Sequence, residues 1–163
     1  MSSRRIARLS LFLSIALTLG LVENTFPPLP VPGVKLGLAN IVNIILFFTD
    51  TVTDAFLITF LRIVVISIFV GGLLSVNFYI SFGGAVLSIA SLYLLYLFFK
   101  KDISPISVGA VSAFCHISGQ LLTVYLLMNT PEVIRLFPLI GMLGTLTGIF
   151  TGSISVYIVK LNL

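Results

Sequence analysis

Long apolar segments, separated by short polar or proline-rich stretches, make up almost the whole chain. They extend over approximately residues 6–23, 35–48, 55–75, 79–99, 105–128 and 137–159. A helix needs about 20 predominantly apolar residues to cross a bilayer, and most of these segments approach or exceed that length. The pattern therefore predicts an all-α, polytopic membrane protein, with about six transmembrane helices in a single domain over residues 1–163.

Composition supports a lipid environment. Hydrophobic residues are 58% of the chain and charged residues 9%, with a mean hydropathy of +1.22, whereas soluble domains carry about 25% charged residues. Six spans with short loops leave nothing for a separate soluble domain. The single cysteine, Cys115, excludes an intramolecular disulfide and a cysteine-based metal cluster.

The basic residues mark the ends of the apolar segments. Nine Lys and Arg residues oppose five acids, which gives a formal charge of +4. Arg4, Lys100 and Lys160 all fall where an even number of crossings places the chain in the cytoplasm. Because membrane topology explains this charge better than nucleic-acid binding does, we expect both termini to be cytoplasmic and no nucleic-acid partner.

The most informative polar residues lie within the fifth apolar segment. Gly109, Ala113, His116 and Gln120 recur at helical spacing, which places small and polar side chains on one face. A buried imidazole or carboxamide needs hydrogen-bond partners, which in hydrocarbon come from other helices, trapped water or a ligand. His116 and Gln120 are therefore candidate ligand contacts, with His116 also a candidate proton relay. The alternative is a hydrogen bond to a neighbouring helix.

Three other polar residues inside the segments are candidates for the same pocket. Asn40 and Asn43 lie about 60° apart around a helix axis, so both can point inward, either toward a ligand or toward another helix. Arg62 lies about 10 Å into the third span at ~1.5 Å per residue. It either snorkels or pairs with Asp50 or Asp54, or it faces the bundle, where its planar fork would hold a phosphate or carboxylate.

The stretch between the first two segments is rich in proline. It contains Pro27, Pro28, Pro30 and Pro32, which exclude a helix and predict a stiff, apolar external loop that could act as a lid. Glu23, Asn24 and Lys35 flank this loop and are candidate ligand contacts. Interfacial anchoring alone would also explain a lysine at this position. Residues 132–135 are expected to form a second external turn or a short interfacial piece.

Residues suited to catalysis are scarce. Metal-dependent prenyl transfer needs clustered aspartates that hold magnesium on a diphosphate. The closest match, Asp50 and Asp54, has two acids four residues apart at a membrane edge. The tandem GxxxG spacing of Gly144, Gly148 and Gly152 suits close helix packing. We predict a non-enzymatic protein with no catalytic residue, no metal site and no cofactor.

Two groups of residues resemble the signatures of one bacterial family. Glu23-Asn24 through Phe26-Pro27-Pro28, followed by Pro32 to Asn40, resembles the first signature of small membrane proteins known as Gx transporter proteins or heptaprenyl diphosphate synthase component I. Gly109-Ala110 with His116 and Gly119-Gln120 resembles the second, in which an asparagine usually follows the histidine; Ile117 and Ser118 occupy that gap here. The resemblance covers nearly the whole chain.

The resemblance implies a multi-pass protein of the bacterial cytoplasmic membrane. The family is similar in helix count and first-loop arrangement to S-components, the substrate-binding subunits of energy-coupling-factor vitamin transporters. These subunits dock their first helix on a membrane coupling subunit through small residues, and Ser10, Ser14 and Thr18 give the first helix such a face. Relatives also occur beside genes for isoprenoid quinone synthesis and flavin-based extracellular electron transfer.

Three functions remain open from the sequence. The leading one is a membrane binding or transport subunit for a small molecule with a polar head and an apolar body, such as an isoprenoid, a quinone or a vitamin-like compound. The second is a membrane subunit of quinone-linked electron transfer, in which His116 accepts a proton. The third is a non-catalytic membrane component of polyprenyl diphosphate synthesis. Each requires the lipid bilayer and partner subunits.

Overall fold

In a computed structural model, which describes residues 3–26, 31 and 34–162, the chain folds into helices joined by short turns. The described residues form six helices and no strand: α1 Ser3–Glu23, α2 Asn40–Thr49, α3 Val52–Phe69, α4 Val76–Phe99, α5 Pro105–Met128 and α6 Glu132–Asn162. All except α2 are long and apolar enough to cross a membrane. The prediction of an all-α membrane bundle is confirmed.

The α5 helix lies between α4 and α6 and packs closely on both. A Cβ atom on either Gly109 or Gly148 would collide with the backbone carbonyl oxygen of the other. Further along α5, a Cβ on Gly119 would meet the carbonyl of Gly83 in α4. Between helices in a membrane, such close van der Waals packing drives association. Two of these helices, α4 and α5, form part of the wall of the cavity described below.

The α2 helix is short and buried. Its 10 residues extend over about 15 Å, half the ~30 Å thickness of the hydrocarbon layer. It begins at Asn40 and not near residue 35, because Gly37 has a φ of +84° and the backbone before it bonds to side chains of other helices. The Lys101 ammonium donates to the carbonyl of Phe48 at 2.6 Å and satisfies an acceptor at the C-terminus of α2.

Other helix ends also differ from the sequence prediction. The α6 helix begins at Glu132, so residues 132–135 form its first turn and Pro138 lies inside it. An acidic side chain near a helix N-terminus is favourable, which supports this earlier start. The α3 helix ends at Phe69, because the chain turns at Gly71, where φ is +70°. The hydroxyl of Ser75 then caps α4 by accepting from the Phe78 amide at 3.4 Å.

The α1 helix packs at the edge of the bundle, mainly on α3. At one end Arg5 pairs with Asp54 at 2.6 Å, and Arg8 pairs with Asp50. Both acids that the sequence offered to Arg62 are therefore occupied by α1. Arg62 can therefore only snorkel or face the interior of the bundle. The surroundings of Arg62 at the other end of α1 and α3 decide between these two.

Candidate functional site

A partly enclosed polar cavity of about 240 Å³ lies between the C-terminal end of α1, residues 35–37, α3, the first turns of α4, and α5. At ~30 Å³ per molecule, its volume equals that of about eight waters. Six of the eight candidate residues line it: Glu23, Asn24, Lys35, Arg62, His116 and Gln120. Pro27, Pro28, Pro30 and Pro32, which form the predicted lid, lie outside the described residues.

Residues 34–37, here called the strap, are held across one side of this cavity by two side chains. The carboxamide oxygen of Gln120 accepts the Lys35 amide at 3.0 Å, and a Glu23 carboxylate oxygen accepts the Gly37 amide. Gly37 adopts a left-handed conformation that other residues rarely take. The strap thus connects α1 to α5 and brings the two sequence signatures together.

His116 and Gln120 form a hydrogen bond with each other, and Gln120 also bonds to the strap. The Gln120 carboxamide nitrogen lies 3.0 Å from His116 Nε2. Because the Gln120 oxygen already accepts from Lys35, its nitrogen is the donor to His116, which places the imidazole proton on Nδ1. That buried Nδ1 makes no hydrogen bond of good geometry with the described residues, and the Gly84 backbone lies beside it.

Gly84 in α4 permits this arrangement. A Cβ atom there would lie 2.6 Å from Gln120 Cγ and 2.9 Å from the carbonyl oxygen of His116. Contacts that short would displace Gln120 or separate α4 from α5. The close approach of the two helices at Gly84 therefore fixes the side chains that hold the strap.

Arg62 faces the cavity and not the membrane surface. It is 8% exposed, and its guanidinium makes no ion pair and no hydrogen bond with the described residues. Glu23 attracts it from a longer distance. A guanidinium has five N–H donors, so Arg62 offers several to whatever occupies the cavity.

Lys35 brings a second cation to the same space. Burial lowers the pKa of its ammonium below the usual value, the Glu23 carboxylate opposes this shift, and Arg62 adds to it. Lys35 and His116 both line the cavity. The local balance is two basic side chains against one carboxylate.

Asn40 and Asn43 are placed differently. They are buried in α2 and are not among the residues that line the cavity. Asn43 donates to the Asn40 carboxamide oxygen at 3.3 Å and accepts from the Thr59 hydroxyl at 2.8 Å. The Asn40 nitrogen has no partner among the described residues and packs under Gly37. The pair joins α2 to α3 beneath the strap.

Some cavity residues were not predicted. Ser67 in α3, Ser75 before α4, and Asn77 and Ser81 in α4 all line it. A serine within an apolar helix is a weak signal for an inward-facing polar surface, and Ser67 and Ser81 carried that signal. Within the part of the chain that the structure describes, no three His, Cys, Asp or Glu side chains come together as metal ligands.

Comparison with known proteins gives a match to a protein family, and this match covers most of the chain. Among curated proteins and among solved structures no match is found. A family model described as heptaprenyl diphosphate synthase component I matches residues 12–158 of the 163. This match includes the strap and every residue that lines the cavity. The chain therefore belongs to the heptaprenyl diphosphate synthase component I family.

Proposed function

We propose that the chain is a non-catalytic, membrane-embedded subunit that binds a small ligand, as S-components do. The observation that carries the proposal is the cavity itself. Arg62 is buried there without an acceptor among the described residues, which is costly unless another group satisfies it. Polar residues of four helices and the strap converge on the same space, and convergent polar groups in a concave site are typical of ligand pockets.

The cavity wall also supports an apolar body for the ligand. Ile63 and Ile66 in α3, Val70 directly after it and Phe78 in α4 line the cavity together with the polar set. A ligand whose head lies near Arg62 can therefore extend its body along α3 and α4 toward the bilayer. Isoprenoids, quinones and vitamin-like molecules have this shape.

The charge pattern gives the proposed orientation. Arg4, Lys100 and Lys160 favour an orientation with both termini in the cytoplasm. The C-terminal end of α1, and with it the cavity, then lies on the outer side of a bacterial cytoplasmic membrane. Delivery of a ligand across the bilayer would require partner subunits, and the exposed face of α1 with Ser10, Ser14 and Thr18 is suited to docking one.

Ligand-induced stabilisation tests the proposal. Vitamins, quinones and prenyl phosphates are added to the purified protein, and a ligand at 100 times its Kd should stabilise the fold by about 2.7 kcal/mol. That corresponds to a rise in melting temperature of about 5–10 °C for a chain of this size. In a Ser81→Phe variant, whose ring would fill the cavity, the rise should vanish.

The matched control is Ser118→Phe, because Ser118 lies on α5, half-buried and outside the cavity. This variant should keep the full rise in melting temperature. If no compound raises the melting temperature of the wild-type protein, or if Ser81→Phe shows an equal rise, ligand binding in the cavity is contradicted.

The family match favours a second candidate function, as a membrane component of polyprenyl diphosphate synthesis. In that role the cavity would bind a substrate or product for a soluble catalytic partner. Affinity purification from native membranes should then recover a second protein rich in aspartate motifs, with prenyl transfer activity in the purified pair. This role would be eliminated if the chain purified without such a partner and if cells that lack the chain kept unchanged prenyl transfer activity.

A further inference from the structure

We propose that the cavity selects a negatively charged head group, a carboxylate or a phosphate, and that Arg62 is the principal partner of that group. This inference rests on the proposed binding function and specifies the chemical class of its ligand. It follows from three features of the cavity: an unsatisfied cation, the balance of charge, and the fit of the donors.

Arg62 is the unsatisfied cation. It is more than nine-tenths buried and lines the cavity, yet no carboxylate of the described residues pairs with it. The two acids nearest to it along the chain, Asp50 and Asp54, are held by Arg8 and Arg5 at the other end of α1. A buried charge without a partner is strongly unfavourable, so a bound anion would compensate the Arg62 guanidinium.

The balance of charge points the same way. Arg62 and Lys35 contribute two cations, while Glu23 contributes one carboxylate that also accepts the Gly37 amide. A neutral head, such as that of a quinone, would leave Arg62 uncompensated. A cationic head would face two like charges in a medium of low dielectric constant, where repulsion is strong. A single negative charge neutralises the site.

The donors suit an oxyanion. A guanidinium presents paired N–H groups in a plane, which match two oxygens of a carboxylate or phosphate. Ser67 and Ser81 line the cavity from α3 and α4 and can donate hydroxyl hydrogens to further oxygens. The Lys35 ammonium completes the set from the strap.

The charge preference can be measured without knowing the ligand. In a Cys115→Ala background, a Ser67→Cys variant carries one thiol inside the cavity. Its rates of reaction are measured with two small methanethiosulfonates, the anionic ethylsulfonate and the cationic ethyltrimethylammonium. The ratio of the two rates is compared with that of a Ser104→Cys variant, which carries its thiol on the exposed turn before α5, outside the cavity.

We expect the anion-to-cation ratio to be higher in the cavity than at the control site by about tenfold or more, because the net charge there is screened little by water. Arg62→Gln should lower the cavity ratio toward the control value. Glu23→Gln should raise it further. Both substitutions replace a charged side chain with an uncharged one, so a general loosening of the fold would change the ratio in the same direction in both variants. Changes in opposite directions therefore report the charge that was removed. Neither substitution should change the ratio at Ser104→Cys.

A cavity ratio at or below the control value, or one that Arg62→Gln leaves unchanged, overturns the inference. Neither result touches the proposed binding function, which fails separately if no compound stabilises the wild-type protein. The same labelling in nanodiscs of phosphatidylglycerol and of phosphatidylcholine distinguishes the source of the anion. Slower labelling in phosphatidylglycerol assigns a lipid head group, and equal labelling assigns a soluble anion.

Discussion

Replacing Gln120 with leucine should release the strap from α5. Leucine keeps a similar shape but removes the acceptor of the Lys35 amide and the donor to His116. One such hydrogen bond contributes about 1 kcal/mol net, so the Lys35 amide should exchange with deuterium about fivefold faster. The His116 imidazole also loses its partner in a buried site, which should lower the free energy of unfolding by a further ~1–3 kcal/mol.

Hydrogen exchange measured by mass spectrometry on a peptide covering residues 34–39 reports this opening directly. The control is Ser118→Ala on the same helix, outside the cavity, where the hydroxyl donates to the Phe114 carbonyl one turn earlier. Exchange in the control should match the wild type. Unchanged exchange of the strap in Gln120→Leu would show that Gln120 does not hold it, and the link between the two signatures would be lost.

Three other predictions follow from the same geometry. Gly84→Ala should destabilise the protein by about 1–3 kcal/mol through overpacking, whereas Gly141→Ala, whose Cβ would lie 3.4 Å from a ring of α5, should be neutral or stabilising in thermal unfolding. Arg62→Gln should raise the melting temperature of the ligand-free protein by about 2–4 °C for each kcal/mol of burial cost relieved; a fall would indicate a structural partner. The anion-to-cation labelling ratio of the cavity should fall as pH rises through the lowered pKa of Lys35, because its ammonium attracts anions only when protonated, and Lys35→Met should remove this dependence on pH.

The number of helices could be predicted from the sequence because each apolar segment is long and bounded by charges or turn residues. The length of α2 could not. Its predicted first residues form the strap, which depends on a positive φ at Gly37 and on a bond between Lys35 and Gln120, 85 positions apart. A pattern of local hydropathy contains no information about either.

The inward direction of the polar residues followed from their spacing, but their separate roles did not. Asn40 and Asn43 do share one side of α2, and the structure joins them to each other and to Thr59 below the cavity. The direction of Arg62 stayed open in the sequence because Asp50 and Asp54 were equally available to it. Only the packing of α1 on α3 assigns those acids to other arginines.

Native mass spectrometry of the wild-type protein, released gently from its own membranes, tests most directly whether the cavity holds a ligand. We predict one bound small anion per chain, present in wild type and absent when Ser81→Phe fills the cavity. Wild-type chains that appear only at their own mass, or a bound molecule that Ser81→Phe retains, would contradict the account.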